Sequence, residues 1–161
     1  MINIVLFEPE IPQNAGNIVR TCSAIGAVLY MVKPLGFKLE DKYYKRAGMD
    51  YLDFSQIKVV ESFDEILKKN KGKQFYFAST KSQKRYCDVE FPDGCFIVFG
   101  PESRGIPEEI LNANYSNCIR IPMDERARSL NLSNSVAIIA YEAMKQQNFA
   151  GLKEFGNLTK Y

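Results

Sequence analysis

The chain has 161 residues, of which 46% are hydrophobic and 25% are charged, and its net charge is +2. These values are typical of one soluble globular domain, and so small a charge does not by itself indicate a nucleic-acid binder. No apolar run approaches the roughly 20 residues of a membrane span, and the first residues do not show the basic segment and apolar core that are typical of a signal peptide. We therefore expect a cytoplasmic protein that has no membrane partner.

The residue types also limit the chemistry. Histidine is absent, which removes the usual general base of catalytic triads. The four cysteines are scattered without a Cys-x-x-Cys pair, so a zinc site is not expected and no metal is predicted. We expect reduced and mostly buried thiols at Cys22, Cys87, Cys95 and Cys118.

Apolar runs of strand length alternate with amphipathic helical segments along the chain. Strands are predicted at residues 2–7, 28–32, 57–60, 74–78, 95–99 and 118–121. Helices are predicted at 14–25, 41–46, 63–69, 107–113 and from Ser133 or Asn134 to about Met144. The alternation predicts a single α/β domain over residues 1–161 with a mainly parallel sheet and a loosely attached tail at 151–161.

Some residues have predicted roles at helix ends. Asn14 and Asn17 can cap the first helix, and Gly26 can end it in a left-handed conformation. Pro107 is predicted at the start of the fourth helix. The last helix is apolar around much of its circumference, so we expect it to be covered by its own sheet and by a further layer or a second subunit.

Three polar loops follow predicted strands. They span residues 8–17, 100–105 and 122–133. Because ligands bind at the carboxyl ends of parallel strands, these loops are expected to form one site. Gly100 and Gly105 would let the backbone approach a ligand closely, although tight turns alone account for two isolated glycines.

Charged residues near these loops have more than one interpretation. Arg20 can point back toward the loops, although a solvated surface arginine is the commoner case. Glu102 can pair with Arg20 or Arg104, which would add little stability at the surface. Residues 41–46 place three cations beside two tyrosines, and a solvated face is a more frequent use of such a cluster than an RNA-binding patch.

The three loops resemble the three motifs of the SpoU branch of the SPOUT methyltransferases. The matching segments are 11–20, 99–107, and 121–123 with 129–137, in the order and spacing of that family. Further likeness at 7–12, 34–37, 46–51 and 140–143 extends the resemblance over nearly the whole chain. The resemblance implies a homodimer of α/β domains with a C-terminal trefoil knot. The knot follows from the resemblance alone, since true knots are essentially absent from ordinary folds.

The resemblance also implies a reaction: methyl transfer from S-adenosylmethionine to the ribose 2′-OH of the tRNA wobble nucleotide, C34 or modified U34, with leucine tRNA as the expected substrate. Cofactor contacts carried over by motif are Ala78, Gly100, Ile121, Met123, Ser129 and Leu130. The catalytic side would comprise Asn14, Arg20, Glu102, Ser129 and Asn131. The tRNA anticodon stem-loop would contact Lys42, Lys45, Arg46, Arg126 and Arg128, mainly through its phosphates.

Arg20 and Tyr141 have different expected roles. The pKa of an arginine is above about 12, so Arg20 is expected to act as a cation rather than as a base. It would stabilise the developing alkoxide or hold a phosphate that accepts the proton. Tyr141, on the last helix, is expected to pack in the core or in a dimer interface rather than to take part in catalysis.

Other functions stay open at this point. The chain can be a 2′-O-methyltransferase of a different RNA ribose, or a non-catalytic RNA- or nucleotide-binding protein with the same fold. The joint presence of Arg20, Glu102, Ser129 and Asn131 favours an enzyme. An α/β oxidoreductase is disfavoured, because no Gly-x-Gly-x-x-Gly follows the first strand.

Overall fold

The computed structural model describes residues 1–48, 50–51 and 56–160. Met49, within the matching segment 46–51, and Tyr161, in the predicted tail, lie outside these residues. The strands are β1 (Asn3–Phe7), β2 (Val28–Val32), β3 (Ile57–Val60), β4 (Phe75–Ala78), β5 (Phe96–Phe99) and β6 (Cys118–Ile119). The α-helices are α1 (Pro12–Ile25), α2 (Lys42–Gly48), α3 (Phe63–Lys69), α4 (Glu108–Ala113) and α5 (Leu132–Gln146).

The six strands form one sheet in the order β3-β2-β1-β5-β4-β6, and every pair is parallel. In the centre, Val5 of β1 lies opposite Tyr30 of β2 and Val98 of β5. The chain builds outward from β1 to β3 and then crosses to the other half of the sheet. The strand order therefore reverses between β1 and β5, which is where an open parallel sheet binds its ligand.

Helices cover both faces of the sheet. One apolar cluster joins the sheet to α1, α2 and α5, and a second joins it to α3 and α4. Along β1, Ile4 and Leu6 belong to the first cluster and Val5 to the second, because successive side chains of a strand point to opposite faces. Burial on both faces also explains why all five residues of β2 are apolar and buried. The predicted α/β architecture with a parallel sheet is confirmed, whereas the knot stays a prediction.

The start of α1 differs from its prediction. The N-cap residue is Ile11, whose side chain makes no capping hydrogen bond, and Pro12 occupies the first turn. Proline suits that position because the first N–H groups of a helix have no partner within it. The predicted capping by Asn14 and Asn17 is therefore wrong, since both lie inside the helix. Its predicted end is confirmed by Gly26, whose φ is 67°.

The end of β6 and the start of α5 also differ slightly from their predictions. Strand β6 ends at Ile119, and Arg120 continues it only as an isolated bridge to Arg85. Helix α5 begins at Leu132 with Asn131 as its N-cap, not at Ser133 or Asn134. Asn131 accepts the capping hydrogen bonds that were predicted for Ser133 or Asn134, so the helix begins one or two residues earlier than predicted.

The remaining expectations, which came from composition, concern the cysteines, metal binding and membrane spans. Cys22, Cys95 and Cys118 are buried and Cys87 is exposed. Burial raises the pKa of the Cys22 and Cys95 thiols to about 12, so both stay protonated at neutral pH. In the part of the chain that the structure describes, no three cysteine or acidic side chains are grouped to hold a metal ion. No helix of this part is long and apolar enough to cross a membrane.

After α5 the chain continues into the predicted tail. Leu152 packs against the first apolar cluster. Phe155 and Leu158 are 85% and 77% exposed. The first residues of the tail thus contact the domain, whereas these two apolar side chains do not contribute to its core.

Candidate functional site

A cavity of about 470 Å³ lies at the carboxyl ends of β4, β5 and β6. Its walls are the loops that follow these strands, the start of α1 and one side of α5. All six residues predicted to contact the cofactor line this cavity: Ala78, Gly100, Ile121, Met123, Ser129 and Leu130. The structure therefore brings together residues that are up to 52 positions apart in the sequence, from Ala78 to Leu130.

Further residues line the cavity that were not named among the predicted site residues. The loop after β4 contributes Ser79, Thr80 and Lys81. The turn after β5 contributes Ser103 and Arg104 in addition to its glycines. Their positions in the sequence could have identified these residues, because they lie in loops that follow strand ends already assigned to the site.

The turn after β5 is closed by its own backbone. A Cβ atom on Gly100 would lie 2.2 Å from the carbonyl carbon of Gly105 and 2.2 Å from the nitrogen of Ile106. The N–H of Gly105, at φ 71°, donates to the carbonyl oxygen of Pro101 at 2.9 Å. Both glycines therefore serve the turn, and Gly100 also lines the cavity. No larger residue fits at position 100 unless the turn opens.

Glu102 fastens this turn to the first loop. Its carboxylate accepts hydrogen bonds from the backbone N–H groups of Glu10 (2.9 Å) and Ile11 (3.2 Å) and from Nδ2 of Asn14 (3.0 Å). The predicted pairing of Glu102 with Arg20 or Arg104 is wrong, since neither arginine bonds to it among the described residues. The carboxylate satisfies donors near the start of α1 instead, where a negative charge is favoured.

Asn14 extends the connection to the third loop. Its side chain is 6% exposed, and its Oδ1 accepts a hydrogen bond from Nδ2 of Asn131 at 2.9 Å. Oδ1 of Asn131 in turn accepts from Ser133 N at 2.9 Å and Asn134 N at 3.4 Å, which caps α5. Since a buried amide is costly unless it is bonded, these partners explain how Asn14 can lie inside the domain. Three predicted catalytic residues thus form one network: Asn14, Glu102 and Asn131.

A second set of contacts lies outside this network. Glu10 accepts from Ser103 N at 2.9 Å and Ser103 Oγ at 2.7 Å. Arg104 contacts Glu10 and also bonds to Glu8. The hydrogen bonds from Ser103, followed by the charge of Arg104, lower the pKa of the Glu10 carboxyl. The first two loops are therefore joined twice, once through Glu102 and once through Glu10.

Arg20 lies elsewhere. It is an exposed residue of α1 in a groove of about 400 Å³ between α1 and α5, and its Cζ is 5.9 Å from the ring centroid of Tyr51. The same groove is lined by Ser133 and Asn134 from the first turn of α5. Arg20 is not among the residues that line the larger cavity.

The two depressions lie on different sides of α5. Ser135 and Ile139 face the cavity, whereas Ala137 and Tyr141 line the groove. At 3.6 residues per turn these two pairs point in nearly opposite directions. Within one chain, α5 therefore separates Arg20 from the cavity. Tyr141 is 46% exposed, so it is not a core residue of the single chain.

The predicted RNA contacts fall in two places. Lys42, Lys45 and Arg46 are exposed on α2. Arg128 lines the cavity, and Arg126 pairs with Asp124 of its own loop through Nε at 2.8 Å. Cations therefore lie beside the cavity and on the helix next to α1, and their contact with RNA stays a prediction. Ser129, of the catalytic set, lies in the same loop as Arg128 and lines the cavity.

We expect Asn131→Ala to destabilise the protein by about 1–2 kcal/mol, because α5 loses its cap and buried Asn14 loses a donor. Asn131→Asp keeps the capping oxygen but removes the donor to Asn14, so its cost isolates the link between the loops. Urea unfolding of both variants at pH 7 gives the two free energies. Equal stability of Asn131→Ala and the wild type would contradict the network.

Comparison with known proteins agrees with this geometry. Residues 1–141 match the model of the SpoU rRNA Methylase family. The tRNA (cytidine(34)-2′-O)-methyltransferase of Saccharophagus degradans is 45% identical over 154 residues, which are 95% of this chain and 100% of that protein. The match thus includes all three loops and most of α5.

Solved structures agree as well. One, described as giving insights into the 2-OH methylation of C/U34 on tRNA, is 41% identical with a TM-score of 0.88, over 92% of this chain and 97% of that chain. The AdoMet-bound rRNA methyltransferase of Sinorhizobium meliloti is 26% identical with a TM-score of 0.80, over 89% of this chain and 56% of that chain. With three family loops gathered at one cavity and a family match over most of its length, this chain belongs to the SpoU methylase family.

Proposed function

We propose that the protein transfers a methyl group from S-adenosylmethionine to the ribose 2′-OH of nucleotide 34 in a tRNA anticodon loop. The observation that carries this proposal is the assembly of all three family loops around one cavity, in a chain 45% identical to an enzyme that acts on cytidine 34. Cytidine 34 is the expected target, modified uridine 34 a second, and leucine tRNA the expected carrier. The reaction would take place in the cytoplasm.

The cavity suits S-adenosylmethionine in size and in chemistry. Small-molecule sites typically enclose about 300–1,000 Å³ and combine apolar walls with a few polar groups. Here Ile121, Leu130 and Gly100 line the cavity; the two apolar side chains would flank the adenine base, and the glycine would let the backbone contact the cofactor. Met123, Ser129 and Ala78 complete the proposed contacts. When bound, the cofactor supplies an electrophilic methyl group on a positively charged sulfur.

The protein has to orient the ribose and stabilise the oxygen that attacks. Exact placement of reacting groups can lower a barrier by about 7–11 kcal/mol at the extreme. The network of Asn14, Glu102 and Asn131 fixes the three loops to one another, so that Ser129 and Asn131 can hold the ribose. Arg20 would supply the positive charge that stabilises the developing alkoxide or binds a phosphate that accepts its proton.

This assignment needs a second subunit. Arg20 and the cavity lie on opposite sides of α5, so one chain does not complete the site. Two further observations support a homodimer: Ile138 and Tyr141 of α5 are 37% and 46% exposed, and Ala137 lies in the same groove. We propose that this groove meets the partner's cavity and brings Arg20 to it.

The RNA would then lie across both subunits. Arg126 and Arg128 would contact phosphates beside the cavity, and Lys42, Lys45 and Arg46 would contact other phosphates of the anticodon stem-loop. Because such contacts exchange bound counterions, the affinity for tRNA should fall steeply as salt is raised.

Tyr141→Glu is expected to convert the dimer to a monomer and to reduce methyl transfer at least tenfold, because the new carboxylate would be buried in the interface without a partner. Leu67→Glu is the control, since Leu67 is 37% exposed on α3, which packs on the opposite face of the sheet from α5. Sedimentation velocity and transfer assays on both variants test this. A wild-type monomer that is fully active would contradict the dimer.

The function itself is tested by incubating the protein with methyl-labelled S-adenosylmethionine and total tRNA, followed by nuclease mapping. Label on the 2′-oxygen of nucleotide 34 supports the proposal, and leucine isoacceptor transcripts with C34 or U34 then define the substrate. Label on another RNA ribose would favour the different-substrate alternative. Cofactor binding without transfer to any RNA would favour a non-catalytic binding protein.

A further inference from the structure

Helix α2 places its two tyrosines in different environments. Tyr44 is 3% exposed, and its ring centroid is 5.4 Å from that of Phe37. Tyr43 is 46% exposed. Neighbouring residues of a helix point about 100° apart, so the burial of Tyr44 turns Tyr43 outward. The sequence cluster of two tyrosines and three cations therefore contains one core ring and one surface ring.

The surroundings of Tyr43 are cationic. Nζ of Lys42 lies 5.0 Å from the centroid of its ring, and Lys45 and Arg46 are exposed on the next turn. Among the described residues, none of these three cations forms a salt bridge. Asp41 is occupied at the start of the helix, where it accepts from Tyr43 N at 2.7 Å. The cations are thus available to an anionic ligand.

Helix α2 is also anchored beside the proposed active site. It packs on α1 at Gly16, where a Cβ would lie 2.6 Å from Ala47 Cβ and 2.6 Å from the carbonyl oxygen of Tyr44. Tyr51 follows α2 closely in the sequence, and its ring centroid lies 5.9 Å from Cζ of Arg20, so the end of α2 lies near the groove that contains Arg20. In the proposed dimer this groove meets the partner's cavity, so the nucleotides next to a ribose in that cavity would come within reach of α2.

We propose that Tyr43 is a stacking platform for an unpaired base of the RNA substrate, adjacent to the nucleotide that is methylated, with Lys42, Lys45 and Arg46 at the flanking phosphates. Proteins recognise single-stranded RNA by stacking bases on aromatic side chains beside cations. Loop nucleotides of an anticodon are unpaired and provide such bases. This inference rests on the proposed function, which supplies the substrate class.

The chain contains no tryptophan, so Tyr43→Trp introduces a single indole. Stacking on a base quenches indole fluorescence, and we expect an anticodon stem-loop RNA to quench this variant, whereas S-adenosylmethionine alone does not. Leu67→Trp is the matched control. Leu67 is 37% exposed on α3, which covers the opposite face of the sheet, so its indole should not respond to the RNA.

Kinetics provide the second readout. We expect Tyr43→Leu to raise the KM for tRNA roughly tenfold, as loss of one base stack would, with kcat and the cofactor Kd within about twofold of wild type. Tyr43→Phe should restore the KM to within about threefold, since stacking needs the ring and not the hydroxyl group. Thermal melts of each variant exclude a folding defect.

Two outcomes overturn the proposal in distinguishable ways. If wild-type protein methylates tRNA, but Tyr43→Leu keeps its KM and Tyr43→Trp is not quenched, Tyr43 is a solvated surface residue and the proposed function still stands. If wild-type protein neither binds nor methylates RNA, the proposed function fails and the stacking role fails with it. Quenching together with a KM change confined to the tRNA substrate supports the platform.

Discussion

Gly100→Ala is expected to raise the Kd for S-adenosylmethionine by more than about 100-fold. The added Cβ would lie 2.2 Å from backbone atoms of Gly105 and Ile106, and backbone cannot move aside as a flexible side chain can. The turn has to open, which moves the cavity wall and disturbs the nearby bonds of Glu102. Isothermal titration calorimetry measures the affinity, and a thermal melt establishes that the variant is folded.

Gly105→Ala is the control for this prediction. A Cβ there would meet nothing within 4 Å, so the substitution introduces only the strain of a positive φ, about 1–2 kcal/mol. Its effect on cofactor affinity should be several-fold at most. If Gly100→Ala is folded and binds the cofactor as the wild type does, the cofactor site lies elsewhere.

Arg20→Ala is expected to lower kcat by about 100- to 1,000-fold, the usual cost of removing a group that stabilises an oxyanion. The Kd for the cofactor should stay within a few fold, because Arg20 is proposed to act on the ribose oxygen or on a phosphate and is not among the proposed cofactor contacts. Arg20→Lys should recover only part of the rate, since lysine keeps the charge without the planar fork. Arg85→Ala is a control in which a surface salt bridge with Asp88 is lost, and its rate should be close to wild type.

Mixing the two defective proteins tests whether Arg20 acts across the dimer. Arg20→Ala and Gly100→Ala protomers that exchange would form heterodimers in which one site has both an intact cavity and an intact arginine. Random exchange predicts recovery of about a quarter of the wild-type sites. Activity that stays at the level of the separate variants, despite proven exchange, would place Arg20 and the cavity in the same subunit or exclude its catalytic role.

The periodicity of the chain was sufficient to predict its architecture. Apolar runs such as Val28–Val32 form strands over the predicted residues, because burial on both faces leaves a local sequence pattern. The position of the polar loops after strands likewise predicted where a cavity would form, since parallel strands place their carboxyl ends at one edge. The motif resemblance then identified cavity residues such as Gly100 and Leu130.

Contacts between segments that are distant in the sequence could not be predicted in this way. Asparagine commonly caps helices, yet the partners of Asn14 are Glu102 and Asn131, 88 and 117 residues away. The sequence also did not determine whether Tyr43 or Tyr44 faces the core, because this depends on how α2 packs on α1. The sequence by itself determined the elements, their order and the edge of the sheet that carries the site. Only the tertiary structure decided which polar groups meet. It also decided that α5 separates Arg20 from the cavity. Both features depend on how the helices pack on the sheet, and such packing leaves no local periodicity in the sequence.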